Sequence, residues 1–315
     1  MNPDMNLLDD KQDDALSGCP AETELAGRSS MCEGCPGQAL CQQQSGVDPD
    51  QEFIDIRMNA ILHKIIVVSG KGGVGKSTLA ASLALALAQQ KKRVGILDVD
   101  ICGPSISQLM SVQGQKVINT QWGWKPLQSK HGKIKVMSVA SLLDQAESAV
   151  VWRGPRKTQL IKQFLKNTFW GKLDYLIIDT PPGTSDEHLT VLKVLKNTRP
   201  DGAVIVTTPQ TVAMDTIRKE IDFCNKMKLP ILGLVENMSG FVCPCCQEIT
   251  HVFSGNGLES LAKESKLTVL EKIPLDQALV RCCEDGESIF DRYPDSSVLN
   301  PLERLAQRFL QLPNR

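Results

Sequence analysis

The nine residues Gly70-Lys71-Gly72-Gly73-Val74-Gly75-Lys76-Ser77-Thr78 have the types and spacing of a phosphate cradle. They match G-x-x-x-x-G-K-[ST], directly after the apolar run KIIVVS and at the start of a helix-forming stretch. Glycines let backbone N–H groups close around phosphate oxygens, and the positive end of the helix adds a favourable dipole. Gly70, Gly72, Gly73, Val74, Gly75, Lys76, Ser77 and Thr78 are therefore the expected nucleotide contacts. Lys76 would hold the β- and γ-phosphates, and the Ser77 hydroxyl would ligate Mg²⁺. ATP and Mg²⁺ are the implied cofactors. Leu176-Ile177-Ile178-Asp179 is an apolar strand ending in an acid, the form of an aspartate that reaches Mg²⁺ through water. Asp98-Val99-Asp100 ends an earlier strand, where the carboxyl ends of an open α/β sheet face the ligand crevice. An acid there can orient the attacking water.

Eleven cysteines make a second chemistry. Cys19 is followed by twelve residues, then Cys32-x-x-Cys35, then five residues and Cys41. Four thiolates can hold a [4Fe–4S] cubane, and Gly34 and Pro36 suit the turn between the close pair. Four cysteines suit zinc equally well, and chemistry alone leaves both open. In Cys243-Pro244-Cys245-Cys246 the C-x-x-C spacing selects Cys243 and Cys246. Two thiolates cannot complete a cubane, so a bridging, labile cluster would need the same pair from a second chain. The local alternative adds His251 in a partial zinc ribbon. Cys102 is read as a small apolar side chain, Cys224 as core, and the adjacent Cys282 and Cys283 as a poor geometry for ligands of one ion.

These residues need elements to position them. Residues 1–55 are polar, without sustained helical or alternating pattern, and read as an arm without its own core. From Leu62 onward, short apolar strands alternate with helical stretches, the rhythm of a parallel sheet with crossover helices. Strands are expected at 64–69, 93–98, 133–139, 173–178, 202–208, 230–236 and near 267–272. Helices are expected at 76–91, 155–168, 186–197, 211–228, 255–265 and 297–312. The fold class is α/β, a mostly parallel sheet with helices on both faces, over 56–315, with a C-x-x-C insertion near 241–251.

One departure from the ordinary phosphate loop carries a resemblance. SGKGGVGKST has an extra lysine, Lys71, and resembles the deviant P-loop of the MinD/Mrp group of ATPases. The stretches DVDICGPS, VWRGPRK, DYLIIDTPPGTSDEH, TTPQ and ENMSGFVCPCC resemble its cytosolic iron–sulfur cluster assembly branch. With the cysteine arm they resemble the larger, arm-bearing members of that branch, over nearly the whole chain. The resemblance implies slow, dimer-dependent ATP hydrolysis, with Lys71 reaching across a face-to-face dimer to the partner's nucleotide. It implies Asp100 as the water-orienting acid, Asp179 as the Mg²⁺-side acid and Asn237 as an adenine contact. It further implies one [4Fe–4S] cluster on Cys19, Cys32, Cys35 and Cys41, and another bridging Cys243 and Cys246 across a subunit interface. The family's arm has one more residue between its first two cysteines than this chain does. Its CPxC motif falls on Cys243 and Cys246. Expected partners are a second copy or a smaller paralogue lacking the arm, in a homodimer or heterotetramer. Cytosolic and nuclear apo-proteins and later assembly factors complete the set.

Bulk properties narrow the alternatives. A net charge of −1 and 4% aromatic residues give no electrostatic or stacking case for nucleic acid. Asp4, Asp9, Asp10, Asp13 and Asp14 precede the first arginine, Arg28, which fits neither a secretory signal nor a mitochondrial transit peptide, so the cytoplasm is expected. The rival reading is a MinD/ParA-like positioning ATPase with a structural zinc arm. It would use the stripe Leu302, Leu305, Phe309 and Leu312 as a lipid face, although docking onto the domain is the commoner fate of such a stripe.

Overall fold

The structure, a computed structural model, describes residues 29–34, 38, 50–142, 154–210, 213–243, 245–246, 248–253 and 257–313. The chain divides into two units, Met1–Gln51 and Glu52–Arg315, a little before the boundary near residue 55 that composition suggests. A helix accounts for the offset: α1 (Gln51–Asn59) buries Ile54 and Met58 completely while Phe53 and Ile56 stay exposed, so its apolar residues do not mark a single face.

The larger unit is built on parallel strands. β1 (Ile61–Val68) lies between β7 (Leu173–Asp179) and β8 (Gly202–Thr207), all parallel. β7 pairs in turn with β2 (Val94–Asp98), and β2 with β6 (Lys135–Ser138). On the other side β8 pairs with the long β9 (Ile231–Val242), which also takes β11 (Val269–Leu275) in parallel. Short antiparallel strands close the edges, β5 (Leu127–Gln128) on β6 and β10 (Ile249–Thr250) on β9. β3 (Ile118–Thr120) and β4 (Gly123–Lys125) form a separate hairpin.

Side chains along the central strands alternate between two buried faces, as a sheet covered on both sides requires. Ile65, Val67, Ile96, Tyr175, Ile177 and Val204 pack on one face with α2 (Lys76–Gln89), α8 (Gln277–Asp285) and α10 (Leu299–Leu310). Ile66, Val68, Leu97, Leu176, Ile178 and Ile205 face the opposite way. They meet α4 (Gly154–Asn167), α5 (Asp186–Leu195), α6 (Ala213–Lys226) and α7 (Gly257–Glu264). The expected α/β architecture is therefore the observed one. Short helices α3 (Ile106–Leu109) and α9 (Ile289–Arg292) complete the fold. Leu302, Leu305 and Phe309 on α10 are buried against the sheet, so the stripe that could have met lipid is core. Among the described residues, no helix is long and apolar enough to cross a membrane.

Because the strands run parallel, their carboxyl ends share one edge. Asp98 on β2 and Val67 on β1 both sit in register with Asp179 on β7. The loop between β1 and α2 leaves from that edge.

Candidate functional site

Gly75 ends the loop in a left-handed conformation, φ +80°, and is the residue from which α2 starts. A Cβ at Gly75 would lie 2.2 Å from Asn237 Nδ2, so glycine is required by space as well as by backbone. At the other end, a Cβ on Gly70 would lie 2.7 Å from the Cβ of Thr216 and 2.8 Å from its carbonyl oxygen, on α6. The loop is thus gripped from two sides. Asn237 adds a hydrogen bond, donating from Nδ2 to the Val74 carbonyl at 2.9 Å. A cradle of about 270 Å³ results, lined by residues 71–78 with Ser69, Asp100 and Pro182. Beside it lies a more apolar cavity of about 320 Å³, walled by Gly75, Thr78, Asn237, Met238, Pro274 and Leu279. Gly75 and Thr78 line both cavities, and Asn237 lines the apolar one.

Asp179 is fully buried at the end of β7 and meets the loop directly. Its Oδ1 accepts from Lys76 Nζ at 2.6 Å, and its Oδ2 accepts from the Ser77 hydroxyl at 2.6 Å. Burial pushes its carboxyl upward, and Lys76 and Ser77 oppose that push. Asp98, directly across on β2, is also fully buried. Its Oδ2 accepts from the Ser138 hydroxyl at 3.0 Å and its Oδ1 from the Asp100 backbone N–H at 3.1 Å. Burial, with the Asp179 carboxylate nearby, pushes Asp98 up to about 8. Asp100 is oriented differently: it lines the cradle, and its Oδ1 accepts the Gly103 N–H at 3.1 Å. Lys71 turns to the Gln210 side-chain oxygen just before α6.

The second cysteine pair sits in the turn that follows the strand carrying Asn237. β9 runs from that residue to Val242, and Cys243 N–H donates to the Glu248 carbonyl at 2.9 Å, closing the β9–β10 hairpin. Met238 is left-handed, φ +57°, and the pairing with β11 shifts between Ile273/Asn237 and Leu275/Phe241, so β9 bulges between the two sites. Backbone N–H groups of Cys246 and Cys245 donate to the Cys243 sulfur and lower its pKa. Donors aimed at sulfur favour a thiolate, the form that binds metal. His251 is engaged elsewhere, with Nδ1 at 3.2 Å from the Ser239 carbonyl. Among the described residues, no group of three or more His, Cys, Asp or Glu side chains is arranged to hold a metal ion, so Cys243, Cys246 and His251 do not assemble as the local zinc alternative requires. In the arm, Cys32 lies in a 3-10 turn, Ser30–Cys32, and is buried, while Cys19, Cys35 and Cys41 lie outside the described residues.

Comparison with known proteins decides the family. The profile of ParA-type proteins described as the NUBPL iron-transfer P-loop NTPase matches residues 60–310. The chain belongs to this iron-transfer P-loop NTPase family. An ADP-bound nucleotide-binding protein of Archaeoglobus fulgidus, in which cobalt was found, is 41% identical, with a TM-score of 0.66 over 75% of this chain and 91% of that one. The cell division ATPase MinD of Pyrococcus furiosus is 22% identical, with a TM-score of 0.60 over 80% of this chain and 99% of its own. The Mg-ADP complex of the septum site-determining protein MinD from Pyrococcus horikoshii is 20% identical, with a TM-score of 0.59 over 79% and 96%. The two MinD likenesses show the shared fold alone.

For this member of the NUBPL iron-transfer family, some residues differ from their sequence reading. Cys102 does not pack as an apolar side chain: it is exposed, with Lys157 Nζ 3.2 Å from its sulfur. The turn held by Asp100 and Gly103 carries it outward. Cys224 is fully buried, as expected of core. His188 caps α5 through Ser185. Asp98, Lys157, Glu187 and Gln210 escaped individual notice. For Asp98 the signal was present, an acid closing an apolar strand, but Asp100 two residues on, which lines the cradle, offers the same signal. Lys157 and Glu187 meet across 30 positions of sequence, a separation that leaves no local pattern.

The backbone at Gly75 makes a direct prediction. Gly75→Ala forces a side chain into the left-handed region, at roughly 1–2 kcal/mol, and displaces Asn237. Affinity for a fluorescent ADP should fall at least ~10-fold, and wild-type affinity would contradict the assignment of this loop. Asp98 makes a second. The unfolded chain releases the Asp98 proton near ~3.9, whereas the native state retains it up to about 8. Between those values the native state binds the extra proton, so stability contributed at this site falls as pH rises. Asp98→Asn should flatten that part of the urea-midpoint profile against pH, and an unchanged slope would show that the proton resides elsewhere.

Proposed function

We propose that this chain is an ATP-dependent scaffold that assembles [4Fe–4S] clusters and passes them to cytosolic and nuclear apo-proteins. The observation that carries the proposal is the Cys243/Cys246 pair, the Cys243 sulfur already facing backbone N–H donors, in the turn at the end of the strand that braces the nucleotide loop of an iron-transfer P-loop NTPase.

The nucleotide half follows from the loop. Ser77 would ligate Mg²⁺ and Asp179 would reach it through water, giving up the hydrogen bond the two side chains now share at 2.6 Å. The ion would neutralise charge on the β- and γ-phosphates. Lys76 would exchange its contact with Asp179 for the phosphates. Asp100, at the wall of the cradle, would orient the attacking water. Lys71 would act across a dimer on the partner's nucleotide, so hydrolysis would require two chains.

The cysteine half follows from counting donors. One chain offers two thiolates at Cys243 and Cys246, and a cubane cargo needs four. Two chains face to face, as a homodimer or within a heterotetramer with a smaller paralogue lacking the arm, would complete the set. A cargo shared between subunits is released when they separate, which suits donation. Cys19, Cys32, Cys35 and Cys41 of the arm would hold a second, resident [4Fe–4S] cluster within one chain. The place of action is proposed as the cytoplasm.

Anaerobic iron and sulfide analysis with Mössbauer spectroscopy tests the division of labour. The wild type should give [4Fe–4S] signatures at both sites, and Cys243→Ser should remove the labile fraction while the arm signal stays. Zinc at both sites with no iron would overturn the proposal. Equal losses at both sites would overturn the separate roles.

A further inference from the structure

Asp100 stands in the loop that leaves β2 and Asp179 ends β7, and one side chain on α4 touches both that loop and α5, the helix that follows Asp179. Lys157, in the first turn of α4, places Nζ 2.8 Å from Glu187 Oε1 and 3.2 Å from the Cys102 sulfur. We propose that Lys157 is a positioning residue for nucleotide hydrolysis, a brace that ties the loop bearing Asp100 to the helix that follows Asp179. The proposal rests on the ATPase reading given above and adds to it a residue that touches neither nucleotide nor metal.

The two ends of the brace differ. The Glu187 end is fixed. That carboxylate is 4% exposed and Lys157 is 20% exposed, so the pair is largely shielded from water. Burial pushes the Glu187 carboxyl up, but Lys157, the Ser185 hydroxyl and its own backbone outweigh burial and hold it below the usual range. Glu187 cannot drift, because Ser185 and His188 form the cap of α5 around it. One residue on, α4 is pinned to α5 again: the Thr158 and Thr190 hydroxyls lie 3.1 Å apart, and Thr190 donates to the Asp186 carbonyl at 2.7 Å. Lys157 is thus presented from a rigid pair of helices.

The Cys102 end is the yielding one, since sulfur is a weak acceptor. Cys102 stands at the apex of the turn that the Asp100 carboxylate closes by accepting the Gly103 N–H. Holding the apex outward on Lys157 leaves the Asp100 carboxylate facing the cradle. Without the brace the turn keeps its sequence and its chemistry but not its stance. A reacting group displaced by about 1 Å costs on the order of 10²-fold in rate. The brace therefore acts on turnover and leaves ground-state binding alone, because the residues that grip ADP, 70–78 and Asn237, do not touch it.

The test compares Lys157→Met, Lys157→Arg, Cys102→Ala and the double variant Lys157→Met/Cys102→Ala in the full chain. Lys157→Met should lower kcat about 10- to 100-fold, with KM for ATP and affinity for ADP within about twofold of wild type. Lys157→Arg should recover most of the loss. The double variant should be no slower than Lys157→Met, since both changes remove one contact. Hydrogen exchange over residues 99–105 should quicken in Lys157→Met even without nucleotide. Should Lys157→Met fail to fold, the arginine and Cys102 variants carry the comparison. A wild type that hydrolyses no ATP overturns the functional reading and the hydrolytic role with it. A wild type that hydrolyses ATP, beside a Lys157→Met protein with unchanged kcat and unchanged exchange, overturns the brace alone.

Discussion

Asp179 is a carboxylate with no access to water, held at the end of a central strand by an ammonium and a hydroxyl from the phosphate loop. Taking such charges out of water is costly, and the cost is met only when geometry is good and every remaining lone pair finds a donor. Much of the fold serves that condition. β7 lies between β1 and β2, so the acid is carried at the centre of the sheet. α2 begins at Lys76, which brings Lys76 and Ser77 onto the same point. The contact is also one that a nucleotide competes with: phosphates and Mg²⁺ seek the same ammonium and hydroxyl. A site that pairs its own groups so tightly is poised to change when ligand arrives.

That change has a physical route outward. Asn237 holds the loop through the Val74 carbonyl and belongs to β9, whose far end, Val242, leads directly into Cys243. Between them the strand bulges at Met238, so β9 is not a uniformly paired rod. A second route leads through Lys71 and Gln210 to α6, which itself presses on Gly70. The buried acids add a constraint. Asp98 and Asp179 face one another across adjacent strands, and burial with like charge favours a proton on Asp98.

The sheet, its covering helices and the phosphate loop were legible in the sequence because each rests on local pattern. β1, β2, β7 and β8 are short apolar runs ended by Gly, Asp or Thr, and the helices between them show apolar spacing. Elements fixed by tertiary contact were not legible. α1 has apolar residues both buried and exposed, α8 is a half-exposed helix with cysteines at its end, and β10 is two residues held only by its hairpin. The last part of β9 was missed for a related reason, since Gly240 and the left-handed Met238 break the alternation that marks a strand. The site divides the same way. Lys76, Ser77 and Asp179 announce themselves by motif, whereas Asp98 differs from Asp100 only by which way a strand end points. The exposed Cys102 is set by a turn closed by a side chain, which no periodicity reports. Cys243 and Cys246 were found by spacing. The N–H donors at the Cys243 sulfur arise from the local turn and could not be read from it.

The account's central claim is that nucleotide at the loop governs metal held at Cys243 and Cys246. Its most direct test is the rate at which a colorimetric chelator extracts iron from the anaerobically reconstituted protein, with and without Mg-ATP, in the wild type and in Lys71→Ala. The account predicts that Mg-ATP changes the extraction rate in the wild type and leaves it unchanged in the variant. Equal rates with and without saturating Mg-ATP in the wild type would contradict it.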